Sequence, residues 1–366
     1  MLKENIEMKE WNKENRQCFL DFLRVAATCA VVLLHTITGV TDTRDMSLYP
    51  VEKTVFLVGM DLVTWCVPVF IMISGMLFLD SRKKLTWHTM LGKYCRRILL
   101  ALFCFGVPYA LLELLVEQRS FRISMLWDSV WRVCTGHSWS HMWYLYLIFL
   151  LYLLTPLLRR GLFQMPKGAI YFVLAVIALG SSIFPFLKKA FGLSGLPVLP
   201  DEGIYFFYYI WGYLFSGRTR PLKRGERRLA QGSVLALAAG MVLSRLIGNY
   251  SVQMAYNYPF TVALSLLLMV LAREGENTLR QKNTALFRRT GELCFAVYLV
   301  HPVFLNLLYK FMGITPLNLF ERLSIPIGLP LSLMLSFVMI YGLALAGSFI
   351  TAFLLHKIPL LHRYVL

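Results

Sequence analysis

The segment CFLDFLRVAATCAVVLLHTITG carries Arg24 and His35 inside an otherwise apolar run. Eleven residues make about three turns of α-helix, so the two side chains share a face and stand ~16 Å apart along the axis. A cation and an imidazole are both costly in hydrocarbon and tend to mark a site or pathway there. The pair suits a long anionic substrate, gripped at one membrane surface by Arg24 and worked on at its far tip by His35. Taken singly, each also has a plainer reading. Arg24 would be a snorkelling residue at the membrane boundary, and His35 a hydrogen-bonded imidazole at the opposite interface.

Other chemistry-bearing residues recur along the chain. In VPVFIMISGMLFL, Ser74 and Gly75 are small enough to admit a neighbouring helix or a ligand. Asp61 lies at a depth similar to that of His35, where a carboxylate would hold the imidazole in one tautomer. The loop SRKKLTWHTMLGKYCRR is densely basic; all five of Lys83, Lys84, Lys93, Arg96 and Arg97 read as topological signals, and Arg96 and Arg97, which abut the next apolar run, read equally as a pocket for phosphate oxygens, which their forked geometry matches. In HMWYLYLIFLLYLLTPLL, Trp143 and Tyr144 read as an interfacial aromatic belt or, with His141, as a platform for a sugar ring. GELCFAVYLVHPVFLNLL places His301 near the bilayer middle with Tyr298 one turn earlier. Glu113 and Arg245 are further ionisable groups in or near spans, with no partner assigned by the sequence.

The elements that must position these residues follow from composition. Of 366 residues, 57% are hydrophobic and only 16% charged, against about 25% charged in soluble domains. Apolar runs of spanning length recur from end to end, which predicts an all-α polytopic membrane protein of about ten transmembrane helices. The expected spans are approximately 19–39, 55–79, 98–118, 141–158, 169–187, 203–216, 229–247, 257–272, 293–312 and 326–355, the sixth and eighth being short. Pro326 and Pro330 fall at the start of the tenth. No polar stretch is long enough to fold alone, so residues 1–366 are expected to form one domain, with 1–18 as a cytoplasmic lead and no cleaved signal peptide. With both termini inside, 27 of the 37 Lys and Arg lie in cytoplasmic segments and 8 in outer loops, as the positive-inside rule requires. The net charge of +17 is then a topological signal with some attraction to anionic lipid, not a nucleic-acid surface. The seven cysteines form no CxxC or Cys/His cluster. Neither a disulfide framework nor a metal site is expected.

These residues carry a resemblance. The chain resembles the acyltransferase-3 family of integral membrane O-acyltransferases, in its short form without a fused extracellular domain and closest in flavour to the enterobacterial-common-antigen O-acetyltransferase type. The carrying segments are LDFLRVAATCAVVLLH, VPVFIMISGMLFL, YCRRILLALFCFGVPY, HMWYLYLIFLLYLLTPLL and GELCFAVYLVHPVFL, in family order between residues 20 and 305. The departures are Ile71, where an aromatic is commoner, and Cys294, where the family often has Ser. The resemblance implies transfer of an acyl group, usually acetyl, from cytoplasmic acyl-CoA to a hydroxyl of a cell-envelope glycan or its lipid-linked precursor, in the bacterial cytoplasmic membrane. It carries the family's Arg-x10-His pair onto Arg24 and His35, the small-residue motif onto Ser74 and Gly75, and the third-span basic residues onto Arg96 and Arg97. On this reading Arg24, Arg96 and Arg97 hold the nucleotide head, the pantetheine arm passes Ser74, and His35 acts as general base or transient acyl carrier. His141, Trp143 and Tyr144 form the acceptor platform. The rival classes are a transporter or flippase for an envelope sugar precursor, and a non-catalytic subunit of an envelope assembly.

Overall fold

The computed structural model describes all residues except 1–16, 44–45, 47–48, 81–84, 218–219, 248–254, 324 and 326–327. The N-terminal lead, Lys83, Lys84 and Pro326 therefore lie outside the described residues. Among the described residues there is no strand, and eight helical stretches are long and apolar enough to cross a membrane. The chain is an all-α, multi-pass membrane protein.

The first helix, α1 (Cys18–Thr43), holds both Arg24 and His35. The second expected span is broken into α2 (Pro50–Val63) and α3 (Cys66–Phe78). A π-helical turn (Met90–Cys95) leads into α4 (Arg96–Gln118), and the amphipathic α5 (Ser124–Cys134) follows. Next come α6 (Trp143–Gln164), α7 (Lys167–Ala178, prolonged to Phe191), α8 (Gly203–Ser216) and α9 (Arg224–Ile247). After α10 (Pro259–Glu274), the long α11 (Glu276–Asn306) ends in a second π-helical turn, Leu307–Phe311. The last membrane helix is α12 (Leu329–His356). The short sixth and eighth spans are α8 and α10, about 21 and 24 Å long, less than the ~30 Å of hydrocarbon.

Two packing arrangements position the candidate residues. α3 lies backbone-to-backbone on α8, since a Cβ on Gly75 would collide with the Tyr209 carbonyl and one on Gly212 with the Met72 carbonyl. Gly75 therefore serves helix packing, and its neighbour Ser74 points the other way. α11 is packed between α1 and α12. Its Glu276 carboxylate accepts from the backbone N–H groups of Cys18 (3.1 Å) and Phe19 (2.7 Å). Those are orphan donors at the positive end of α1, so the cap anchors the helix that bears Arg24 and His35. The outward faces are apolar: Met334, Val338, Leu343 and Ile350 of α12 are each more than half exposed, as lipid-facing residues should be.

Candidate active site where a channel meets a vestibule

Arg24 and His35 line one cavity of about 300 Å³ that runs beside α1. Its inner mouth is formed by Arg24, Tyr94 and Arg97. Arg24 is steadied by Asp21, one turn before it, at 2.7 Å. Tyr94 lies in the π-helical turn preceding α4, and such wide turns re-aim side chains at functional positions. Its ring packs edge-on to Phe78 at 4.6 Å, and Phe78 to Tyr152 at 4.7 Å. Arg97 donates from Nε to the Val365 carbonyl (3.2 Å) and lies 5.6 Å over the Phe295 ring. Arg96 turns aside, lying 5.8 Å over the Tyr364 ring and lining no part of this cavity. Consecutive helical residues diverge by about 100°, so only one of the two arginines faces the channel.

Midway, Ser74 lines the cavity together with Tyr144 and Tyr152. At the outer end stand His35, His141 and Tyr298 on one side and Trp143 with Tyr256 on the other, the last two rings 5.6 Å apart.

A second cavity of about 970 Å³ opens beyond His35. Trp131, Trp139 and His137 line it, together with Asp42, Glu113 and Lys310. Lys310 and its neighbour Tyr309 come from the second π-helical turn, where the Tyr309 hydroxyl donates to the Thr36 carbonyl at 2.9 Å. Among the described residues, only His35 and His141 line both cavities. They mark the junction between a narrow channel with cations at its mouth and a wide vestibule lined by aromatic, acidic and basic groups.

Three imidazoles meet at this junction. Ring centroids are 5.1 Å apart for His35 and His301, 5.6 Å for His141 and His301, and 6.4 Å for His35 and His141. His141 precedes α6 in a tight turn, its backbone carbonyl accepting from the Tyr298 hydroxyl at 2.5 Å. Trp139, two residues earlier, stacks on Tyr109 at 4.1 Å, and Tyr109 in turn donates to the Leu299 carbonyl at 2.8 Å. The turn is thus bolted to α11 from two sides. The Nε2 atoms of His141 and His301 are buried with no hydrogen-bond partner among the described residues, a condition rare enough to need a reason. Among the described residues no three His, Cys, Asp or Glu side chains are arranged to hold a metal ion.

Two expectations are corrected. Asp61 does not approach His35: its carboxylate is held by the Arg245 guanidinium from α9, at 2.5 Å from Nε and 2.9 Å from Nη2, with both side chains almost wholly buried. Depth in the membrane, the ground for pairing Asp61 with His35, says nothing of azimuth around the helix. Trp143 and Tyr144 line the channel and not the vestibule, so of the expected acceptor platform only His141 reaches the outer cavity. Glu113 lies 3.7 Å from Arg132 at the vestibule wall. Sequence reasoning did not single out Tyr94, Tyr152 or Tyr256 in the channel, nor Trp131, Asp42 and Lys310 in the vestibule. Tyr94 had a usable signal, sitting one helical turn before Arg97.

Residues 19–355 match the acyltransferase domain of the acyltransferase-3 family. The chain is also 23% identical to proteins of Staphylococcus aureus strains MSSA476 and MRSA252, each named "Probable poly-beta-1,6-N-acetyl-D-glucosamine export protein". Those alignments cover 93% of this chain and 96% of the relatives. No solved structure matches. The chain belongs to the acyltransferase-3 family of membrane proteins.

Proposed function

From that membership, we propose that the protein is a bacterial cytoplasmic-membrane O-acyltransferase that takes an acyl group, acetyl first among candidates, from cytoplasmic acyl-CoA. The acceptor is a hydroxyl of an envelope glycan or its lipid-linked precursor. The observation that carries the reading is the junction itself. His35 faces both a channel suited to a donor and a vestibule suited to a sugar.

The phosphates of the donor meet Arg24 and Arg97 at the inner mouth, where guanidinium forks match phosphate oxygens. The uncharged pantetheine arm then runs past Ser74, Tyr152 and Phe295, bringing the thioester toward His35. The acceptor enters from the vestibule, where Trp131 offers a stacking face and Asp42 accepts from sugar hydroxyls. His35 removes the hydroxyl proton as the oxygen attacks the thioester carbon. The new C–O bond forms, the C–S bond breaks, and the proton passes to the departing thiolate on the channel side. In the variant with a covalent intermediate, His35 first takes the acyl group itself and then gives it to the acceptor oxygen. One imidazole that faces both compartments serves either course.

The name of the staphylococcal relatives makes export the second reading, since a channel and a vestibule end to end also describe a transport path. Protein purified into lipid nanodiscs and supplied with acetyl-CoA and a panel of free and lipid-linked glycans separates the two. Acyl transfer predicts free-thiol release that depends on acceptor and is lost in His35→Ala. A carrier predicts no thiol release with any donor, and glycan movement across proteoliposomes.

A further inference from the structure

His301 is fully buried, lines neither cavity, and abuts both histidines that do. Its protonation pattern is set by its own helix. Pro302 has no N–H to give the Tyr298 carbonyl four residues earlier. The His301 ring occupies that vacancy, Nδ1 standing 2.8 Å from the Tyr298 oxygen and 3.3 Å from that of Val297. A carbonyl only accepts, so Nδ1 carries the hydrogen and Nε2 presents a bare lone pair. That lone pair has no partner among the described residues. Burying an acceptor unsatisfied is costly, because the desolvation of the group is not offset by any bond. The His35 ring, centroid 5.1 Å away, is close enough for a ring nitrogen of each to approach ~3 Å with a small rotation.

We infer that His301 is a positioning residue for His35, holding an empty acceptor that receives the His35 N–H when His35 takes the acceptor's proton or carries the acyl group. It does for His35 what a buried carboxylate does for the histidine of a hydrolase triad, but with a neutral group. A carboxylate beside His35 would bind a proton there permanently; a neutral lone pair gains most once positive charge appears on His35. The inference rests on the acyl-transfer reading for its chemical meaning, while the contact itself is testable without turnover.

The other titratable or charged groups around His35 are His141 and Tyr298, with Tyr144, Tyr152, Tyr256 and Cys294 along the channel wall and Arg24, Tyr94 and Arg97 at its far mouth. On the vestibule side they are Asp42, Glu113, Arg132, His137, Tyr309 and Lys310. Substitutions at His301 leave all of these in place.

The test uses His301→Asn, whose amide can still donate to the Tyr298 carbonyl but cannot reach the Nε2 position, and His301→Gln, which can place a carbonyl oxygen there. In nanodiscs, turnover of acetyl-CoA should fall about a hundredfold in His301→Asn with donor KM changed less than threefold. The acid limb of kcat should move to lower pH, because protonated His35 loses its stabilising partner. His301→Gln should recover at least tenfold. Independently of turnover, carbethoxylation of His35 by diethyl pyrocarbonate, followed by mass spectrometry, should reach half its maximal rate at lower pH in His301→Asn than in wild type. Near-normal turnover with an unmoved limb in His301→Asn overturns the inference, as does an equal loss in both variants with unshifted His35 modification. A shifted modification profile in a protein that turns over no donor upholds the His301–His35 contact and removes the acyl-transfer reading instead.

Discussion

Two constellations of buried polar side chains lie inside the membrane-spanning part of this protein, and they are satisfied to opposite degrees. Asp61 and Arg245 bridge α2 and α9 through two short hydrogen bonds, each side chain about 2% exposed or less. His35, His141 and His301 bridge α1, the turn before α6 and α11, yet two of the three leave a ring nitrogen unpartnered. The ion pair touches neither cavity, whereas the histidines occupy the place where both cavities meet. A closed network has nothing left to offer a substrate, so its contribution is cohesion between helices. An open one sacrifices some stability and keeps its hydrogen-bonding capacity for what enters.

This contrast predicts opposite responses to mutation, and the largest falls on the ion pair. Asp61→Ala leaves a guanidinium buried without its carboxylate and should destabilise the protein by about 3–5 kcal/mol. Fluorescence-detected thermal melts of the detergent-purified protein would show the loss. The double variant Asp61→Leu/Arg245→Leu should recover most of it, because the desolvation penalty of both charges disappears with them. If Asp61→Ala melted like wild type, the pair would not be the helix clamp described above.

At the junction the same manipulation should do the reverse. His141→Phe keeps a flat ring beside Tyr109 and Tyr298 and deletes an unsatisfied nitrogen, so the melting temperature should hold or rise. Thiol release from acetyl-CoA should nevertheless fall about a hundredfold. A parallel loss of stability and activity would place His141 with the ion pair, as a structural residue.

The two regions also differ in how far the sequence discloses them. Arg24 and His35 share a channel because an eleven-residue helical spacing fixes both depth and face. Asp61 is readable in the sequence only by its depth, which points to His35; its partner is 184 residues away on another helix. Gly75 and Ser74 were ambiguous between packing and passage in sequence, and the structure divides the roles, Gly75 against Tyr209 and Ser74 toward the channel. Trp143 and Tyr144 have the composition of an interfacial belt, and nothing in that composition reveals that their rings turn inward. The vestibule was least legible. Asp42, Trp131 and Lys310 come from three separate segments with no common motif, and only the tertiary fold brings them together.

Within the open region the inner mouth and the vestibule should separate kinetically. Arg24→Gln and Arg97→Gln each remove one cation from the channel mouth. Either should raise the KM for acyl-CoA about tenfold, close to 1.4 kcal/mol, with the acceptor KM unaltered. The effect should shrink at high salt, since exposed cation–phosphate attraction is screened. Arg96→Gln, whose side chain faces Tyr364 instead, should change neither constant by more than about twofold. An Arg96 effect as large as that of Arg97 would mean that the donor head spreads beyond the channel mouth.

The smallest effect belongs to the opposite cavity. Trp131 is 61% exposed on the vestibule wall, an unusual place for a large aromatic unless something stacks on it. In a membrane protein such a ring could equally serve as an interfacial anchor, and the two roles differ in what they respond to. If the ring carries the acceptor, Trp131→Ala should raise the acceptor KM about fivefold, near 1 kcal/mol of lost stacking, leave the acyl-CoA KM alone, and be largely rescued by Trp131→Tyr. Each of those readings is taken at saturating donor, so a change in the channel cannot imitate them. If Trp131 only anchors α5 to the interface, the acceptor KM should stay where it is and the variant should instead respond to lipid composition. In that case the sugar-binding face of the vestibule would have to be sought at Trp139, whose ring is already committed to Tyr109, and the case for a glycan in this cavity would rest on its polar groups alone.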